Sequence, residues 1–253
     1  MGRVPEIDGA AVLGALGETY AAVTAAVAHL PDEAFDRPTR CDGWSVRDVL
    51  FHMLLDPQRS LVAFASTTAA EPTTDFVSYW RPYRPGTAGA ARTAEYVRRG
   101  SAAYLRVSDL VEDWRETSEA ALRAAAAAQM AGWARSQVVA RTARRHAREA
   151  SAPVAARVRT QGLVIAVPDL LATLTVEAAL HHLDITVNLP DPPAVPAAAL
   201  EVVRLTLDGL LGAPLPATWD GRTCALKGTG RTALDGDDRH RLGPLSDRFP
   251  LLG

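Results

Sequence analysis

The chain lacks most of the features that reveal a function early. Of its 253 residues only two are cysteines, Cys41 and Cys224, too few for a disulfide framework or a thiolate metal cluster. It contains no catalytic-cysteine motif. A basic excess is also missing: 27 Lys and Arg against 29 Asp and Glu leave a net charge of -2, with a pI near 6.3. Nucleic acid is therefore not expected as a partner. No apolar run approaches the roughly 20 residues that span a bilayer, and Met1-Gly2-Arg3-Val4-Pro5-Glu6 carries no signal-peptide core. The expectation is a cytoplasmic protein without membrane association. Any metal ion would have to be held by histidine and carboxylate.

The 48% hydrophobic content and the length are enough for one sizeable core, or for a main domain with a small appendage. Helical spacing of Val12, Leu13, Leu16, Tyr20, Val23, Val27 and Leu30 predicts a first helix over residues 8–30, with Asp8 as its cap. Ser45-Val46-Arg47-Asp48 reads as a capping box, so a second helix starts at Ser45 and places His52 two turns in. Pro57 lies inside it. Residues 67–89 form a long loop whose Tyr79-Trp80-Arg81 segment either contacts an anionic or sugar-bearing ligand or pins the loop to the body. A third helical stretch runs to about Trp114 and a fourth from Thr117. The fourth ends in Arg141, Arg144, Arg145, His146 and Arg148, read as a solvated basic face.

Gln161-Gly162 between Val154–Arg159 and Leu163–Val167 predicts a short hairpin. Pro168 then opens a helix rich in leucine and valine. The proline-rich stretch ending at Pro193 marks a boundary between residues 1–190 and a C-terminal piece, 195–253, with extended segments around Trp219 and Cys224-Ala225-Leu226. Gly228-Thr229-Gly230 is too short to be a phosphate loop.

The chemistry concentrates on Glu177 and His181. Four apart on a helix, they share one face. An ionisable pair among Leu170, Leu171, Leu174, Val176, Leu180 and Leu183 is costly unless neutralised, and a metal ion would neutralise it. Catalytic metals usually take three protein ligands and keep one position open, so the pair needs a third group.

Cys41-Asp42-Gly43-Trp44-Ser45-Val46-Arg47-Asp48-Val49-Leu50-Phe51-His52 and Glu177-Ala178-Ala179-Leu180-His181-His182-Leu183-Asp184 together resemble the mycothiol-dependent maleylpyruvate isomerase family, a branch of the DinB/YfiT-like superfamily. The resemblance covers about residues 8–190. It implies a mainly α fold: a four-helix bundle with a long crossover, followed by a small α+β C-terminal appendage. It also implies a divalent metal, usually zinc, held by His52, Glu177 and His181, with Asp184 nearby and Arg231 as the candidate for a C-terminal arginine that contacts substrate. Mycothiol is the implied thiol cosubstrate. Its zinc-bound thiolate would attack a small electrophile, in an isomerase or an S-transferase. Tyr79 and Arg81 are the loop residues expected to contact it. Asp184 would orient a ligand imidazole or act as a base, and His182 would pack away from the metal.

Two other readings use the same triad. One is a non-catalytic metal-binding bundle whose fourth position is closed by His182, Asp56 or Asp184. The other is a metal-dependent hydrolase with Asp184 or Asp56 as base.

Overall fold

The computed structural model describes residues 7–82, 88–145 and 155–252. Met1–Glu6, Pro153, Val154, His146 and Arg148 lie outside them, as do the side chains of Arg141, Arg144 and Arg145. Four long helices, α1 (Gly9–Val27), α2 (Val46–Ala65), α4 (Val107–Arg145) and α5 (Val167–Ile185), pack on one another, and α3 (Ala88–Ala102) lies on α2. The fold is mainly helical with one small two-stranded sheet.

Local chemistry explains most of the helix starts. The Asp8 carboxylate accepts from the Ala10 N–H at 2.9 Å and caps α1. Ser45 and Asp48 form the expected capping box of α2, and Asp48 also accepts from the Ser101 hydroxyl, tying α3 to α2. The second helix continues through Pro57 to Ala65. Contrary to the expectation of no membrane-length apolar run, the 19 residues of α1 reach a mean hydropathy of 1.4 and could span a bilayer by length and composition. In the bundle its Val12, Leu16, Tyr20, Val23 and Val27 are buried against α4 and α5. Each such Val or Leu stabilises by about 1.5–3 kcal/mol.

The third and fourth helices divide elsewhere than the sequence suggested. The break lies at residues 103–106, where Leu105 is 97% exposed, and α4 runs unbroken through Thr117 and Ser118. Glu116-Thr117-Ser118 reads as a polar interruption, but the Ser118 hydroxyl donates to the Arg115 carbonyl at 3.1 Å and is satisfied inside the helix.

The hairpin falls where expected. Strands β1 (Arg157–Thr160) and β2 (Leu163–Ala166) pair antiparallel, Arg157 opposite Ala166 and Thr160 opposite Leu163. Gln161 and Gly162 both take positive φ, 48° and 79°, as a two-residue hairpin turn requires. Residues 66–73 run along this hairpin: Arg159 N–H donates to the Ser66 carbonyl at 2.9 Å and Thr73 N–H to the Val164 carbonyl at 2.8 Å. The long loop is thereby laid against the bundle, and its Asp75 carboxylate accepts from the Val77 and Ser78 N–H groups to start the short 3-10 turn Ser78–Trp80.

Beside Asp75 stands Asp169, in the first turn of α5. Burial, with the Asp75 charge adding to it and a Phe76 N–H hydrogen bond opposing, pushes the Asp169 carboxyl up to about 6. A raised carboxyl binds more protons folded than unfolded between about pH 4 and 6, so stability falls as pH rises through that window. Asp169→Asn is expected to raise the melting temperature at pH 7.5 and to change it little at pH 4. An equal effect of the substitution at both pH values would refute the assignment.

In the tail, α6 (Ala197–Leu211) packs on α5 and α1, and α7 (Gly221–Gly228) packs on α6; α8 (Gly236–Leu242) follows. The extended segments expected across residues 214–235 are helical instead around Cys224. Asp220 accepts from the Thr223 N–H at 2.7 Å and starts α7, and Ala225, Leu226 and Lys227 are good helix formers.

Candidate active site

Capping at Ser45 sets the phase of α2 and points His52 at α5, where Glu177 and His181 lie one turn apart. The three side chains converge. His52 Nε2 is 3.1 Å and His181 Nε2 is 3.4 Å from the same oxygen, Glu177 Oε1, and one ligand atom from each residue lies within 4.8 Å of the other two. The imidazole rings stand nearly perpendicular, 86° apart, with centroids 4.7 Å apart. A tetrahedral ion bound at about 2.0–2.1 Å separates its ligand atoms by about 3.4 Å, so this donor set fits a divalent metal without large movement.

The electrostatics follow from the same contacts. Burial alone would raise the Glu177 carboxyl, but hydrogen bonds and charge from His181 and His52 outweigh it and hold Glu177 well below the usual range. Burial opposes protonation of His181, yet Asp184, Cys41 and Glu177 carry its pKa well above the ordinary value.

Asp184, fully buried, backs the site. Its Oδ2 lies 3.0 Å from His181 Nδ1, the nitrogen opposite the one that faces Glu177, which is how a carboxylate orients a ligating imidazole. Arg231 donates to both oxygens of Asp184, Nε to Oδ1 at 2.7 Å and Nη2 to Oδ2 at 2.6 Å. Burial would raise the Asp184 carboxyl; Arg231 and His181 prevail and hold it far below the usual range. Gly230, at φ 74° with Pro250 close by, turns the chain after α7 and directs Arg231 to the bundle. The Gly228-Thr229-Gly230 stretch thus serves as a turn.

Cys41 is a residue that sequence reasoning passed over. Its Sγ donates to Asp184 Oδ2 at 3.4 Å and lies 3.8 Å from His181 Nδ1. The loop that carries it docks on the end of α5 through Arg40 N–H to the Asp184 carbonyl at 3.3 Å. Its place just before Gly43-Trp44-Ser45 was the available signal. Trp44 lies against His52, with ring centroids 5.1 Å apart.

Cys41, Trp44, His52, Glu177, His181 and Arg231 border a cavity of about 850 Å³ lined also by Asp56, Arg59, Tyr79, Trp80 and Gln161. Tyr79 therefore meets the site, and its hydroxyl accepts from Gln161 Nε2 at 3.1 Å at the hairpin tip. Arg81 is exposed and is not part of the lining. His182 points away and is buried; burial, with Arg222 adding, lowers it to about 4. Burial and the Glu177 charge push Asp56 up to about 6, against His52, Arg59 and His181.

A helical bundle with a His, Glu and His cluster on a cavity wall, backed by a buried carboxylate, defines the class. Residues 16–186 match the mycothiol maleylpyruvate isomerase N-terminal domain, and the chain belongs to that family. No curated protein and no solved structure gave a match.

Proposed function

We propose that the protein is a metal-dependent enzyme using mycothiol, in which the thiol's sulfur attacks a small electrophile and is then released, as in an isomerase, or retained, as in an S-transferase. The convergence of His52, Glu177 and His181 at ligand spacing on a cavity wall carries this reading. A bound divalent ion, zinc by the nature of the donors, would lower the thiol's pKa so that thiolate is available at neutral pH.

The chain's own residues divide the remaining work. His52, Glu177 and His181 hold the ion, and Asp184 fixes the His181 ring. Arg231 comes from the tail, residues 195–253, to a site otherwise built by residues 1–190, and neutralises Asp184. In that pairing it is a positioning residue. Tyr79 and Trp80 wall the cavity and restrict water there. A structural metal would need a fourth protein ligand, and among the described residues the cluster contains three, which supports catalysis over a metal staple. A cytoplasmic location, where the thiol is reduced, belongs to the same proposal.

The test is a screen of zinc-loaded protein against a panel of electrophiles with and without mycothiol. The proposal expects thiol-dependent turnover of at least one electrophile. Hydrolysis at equal rates with and without thiol would establish the hydrolase instead.

A further inference from the structure

Two carboxylates besides Glu177 border the three candidate ligands, and their surroundings are opposite. Asp184 is sealed, its side chain fully buried and both oxygens engaged by Arg231, with His181 and Cys41 on Oδ2. It has no face toward a substrate. Asp56 is open. One turn beyond His52 on the same face of α2, it lines the cavity with its side chain 21% exposed. The cation paired with it, Arg59, stands at 3.8 Å, beyond hydrogen-bond distance. Asp56 is part of neither the His52, Glu177 and His181 set nor the Cys41, His181 and Asp184 set, the groups of described side chains close enough to share an ion. Glu177 and His181 from α5, His52 and Arg59 from α2, and Tyr20 from α1 are the charged or titratable groups that feel it. The Tyr20 hydroxyl is buried without a hydrogen-bond partner among the described residues.

Resting on the thiol reading above, we propose that Asp56 is a catalytic residue that accepts the S–H proton of the thiol cosubstrate as the thiol enters the site, leaving the thiolate that attacks. The electron pair left on sulfur forms the new C–S bond. The pair displaced from the electrophile departs with a leaving group in a transfer, or moves onto its carbonyl oxygen in a conjugate addition. The Asp56 carboxyl returns its proton to whichever atom receives that pair. In an isomerase the carbonyl then re-forms as the C–S bond breaks, the bond pair returns to sulfur and the proton passes back through Asp56 to it; either way Asp56 ends each cycle as it began, as a carboxylate near Arg59. Asp184 has no part in the proton movement.

The experiment uses zinc-loaded Asp56→Asn, with Asp56→Ala as a second carboxylate-free variant should the first fail to fold, and Asp56→Glu as the conservative control. Metal per chain is measured by elemental analysis, and turnover of the electrophile is followed with a series of low-molecular-weight thiols of graded acidity. Metal content is expected to equal that of the wild type. The carboxylate-free variant is expected to be slower by on the order of 10²-fold with weakly acidic thiols. The deficit should shrink as the thiols become more acidic, because an ionised thiol has no proton to give. Asp56→Glu should recover part of the rate. A deficit independent of thiol acidity, no deficit, or loss of the metal would each overturn the proposal. A wild type that holds zinc but shows no thiol-dependent turnover of any electrophile fails the broader reading and this one with it, and that arm is read before any variant.

Discussion

Glu177→Ala is expected to leave the protein without measurable zinc after metal loading, and His52→Ala is expected to do the same. Glu177 Oε1 lies between the two imidazoles, 3.1 Å from His52 Nε2 and 3.4 Å from His181 Nε2. Removing it leaves two histidines on different helices with no carboxylate between them. Two neutral imidazoles do not make a three-ligand site. A ligand bound only by the folded state stabilises by about 2.7 kcal/mol at a hundred times its dissociation constant. At about 2–4 °C per kcal/mol for a chain near this size, zinc should raise the wild-type melting temperature by roughly 5–11 °C and leave both variants unmoved. Metal content at the wild-type level in either variant would mean that the ligand set is wrong.

Arg231→Ala should be the most destabilising single change near the site. Asp184 is fully buried, and Arg231, 15% exposed, spans both of its oxygens. Without the guanidinium the carboxylate keeps only His181 and Cys41 as partners. Breaking a buried pair from one side typically costs about 3–5 kcal/mol, because the remaining charge is left without its counter-ion. For a chain of this size that is a drop of roughly 6–20 °C. The double variant Arg231→Ala with Asp184→Leu should recover part of the loss, since it leaves no unpaired charge. Its zinc affinity should nevertheless fall by roughly 10–100-fold, because nothing then orients His181. Equal melting temperatures for wild type and Arg231→Ala would show that the pair does not hold the tail to the bundle.

The residues with strong local rules were legible from the sequence. Ser45 and Asp48 form a capping box whose register alone aims His52, and the four-residue spacing of Glu177 and His181 puts both on one face whatever surrounds them. Gln161-Gly162 turned where a two-residue hairpin must. What was not legible depends on distant partners. The sequence pattern begins a separate helix at Thr117, and only the folded chain shows α4 running through it, with the Ser118 hydroxyl satisfied by the Arg115 carbonyl. The α3–α4 turn at Leu105 carries no glycine or proline to announce it. Arg231 was one of six arginines in the tail, residues 195–253. Its partner is 47 residues away in sequence, and spacing could not distinguish a substrate contact from a clasp on Asp184. Cys41 was set aside because two cysteines make neither a disulfide framework nor a thiolate cluster, yet its loop is folded onto the end of α5 beside the site.

The central claim is that the His52, Glu177 and His181 cluster serves thiol chemistry through a metal ion. The most direct measurement is the rate of mycothiol-dependent turnover of one reactive electrophile, before chelation, after chelation and after zinc is restored. The account predicts a rate that falls to the uncatalysed level on chelation and returns with about one zinc per chain. An unchanged rate in the chelated protein would contradict it.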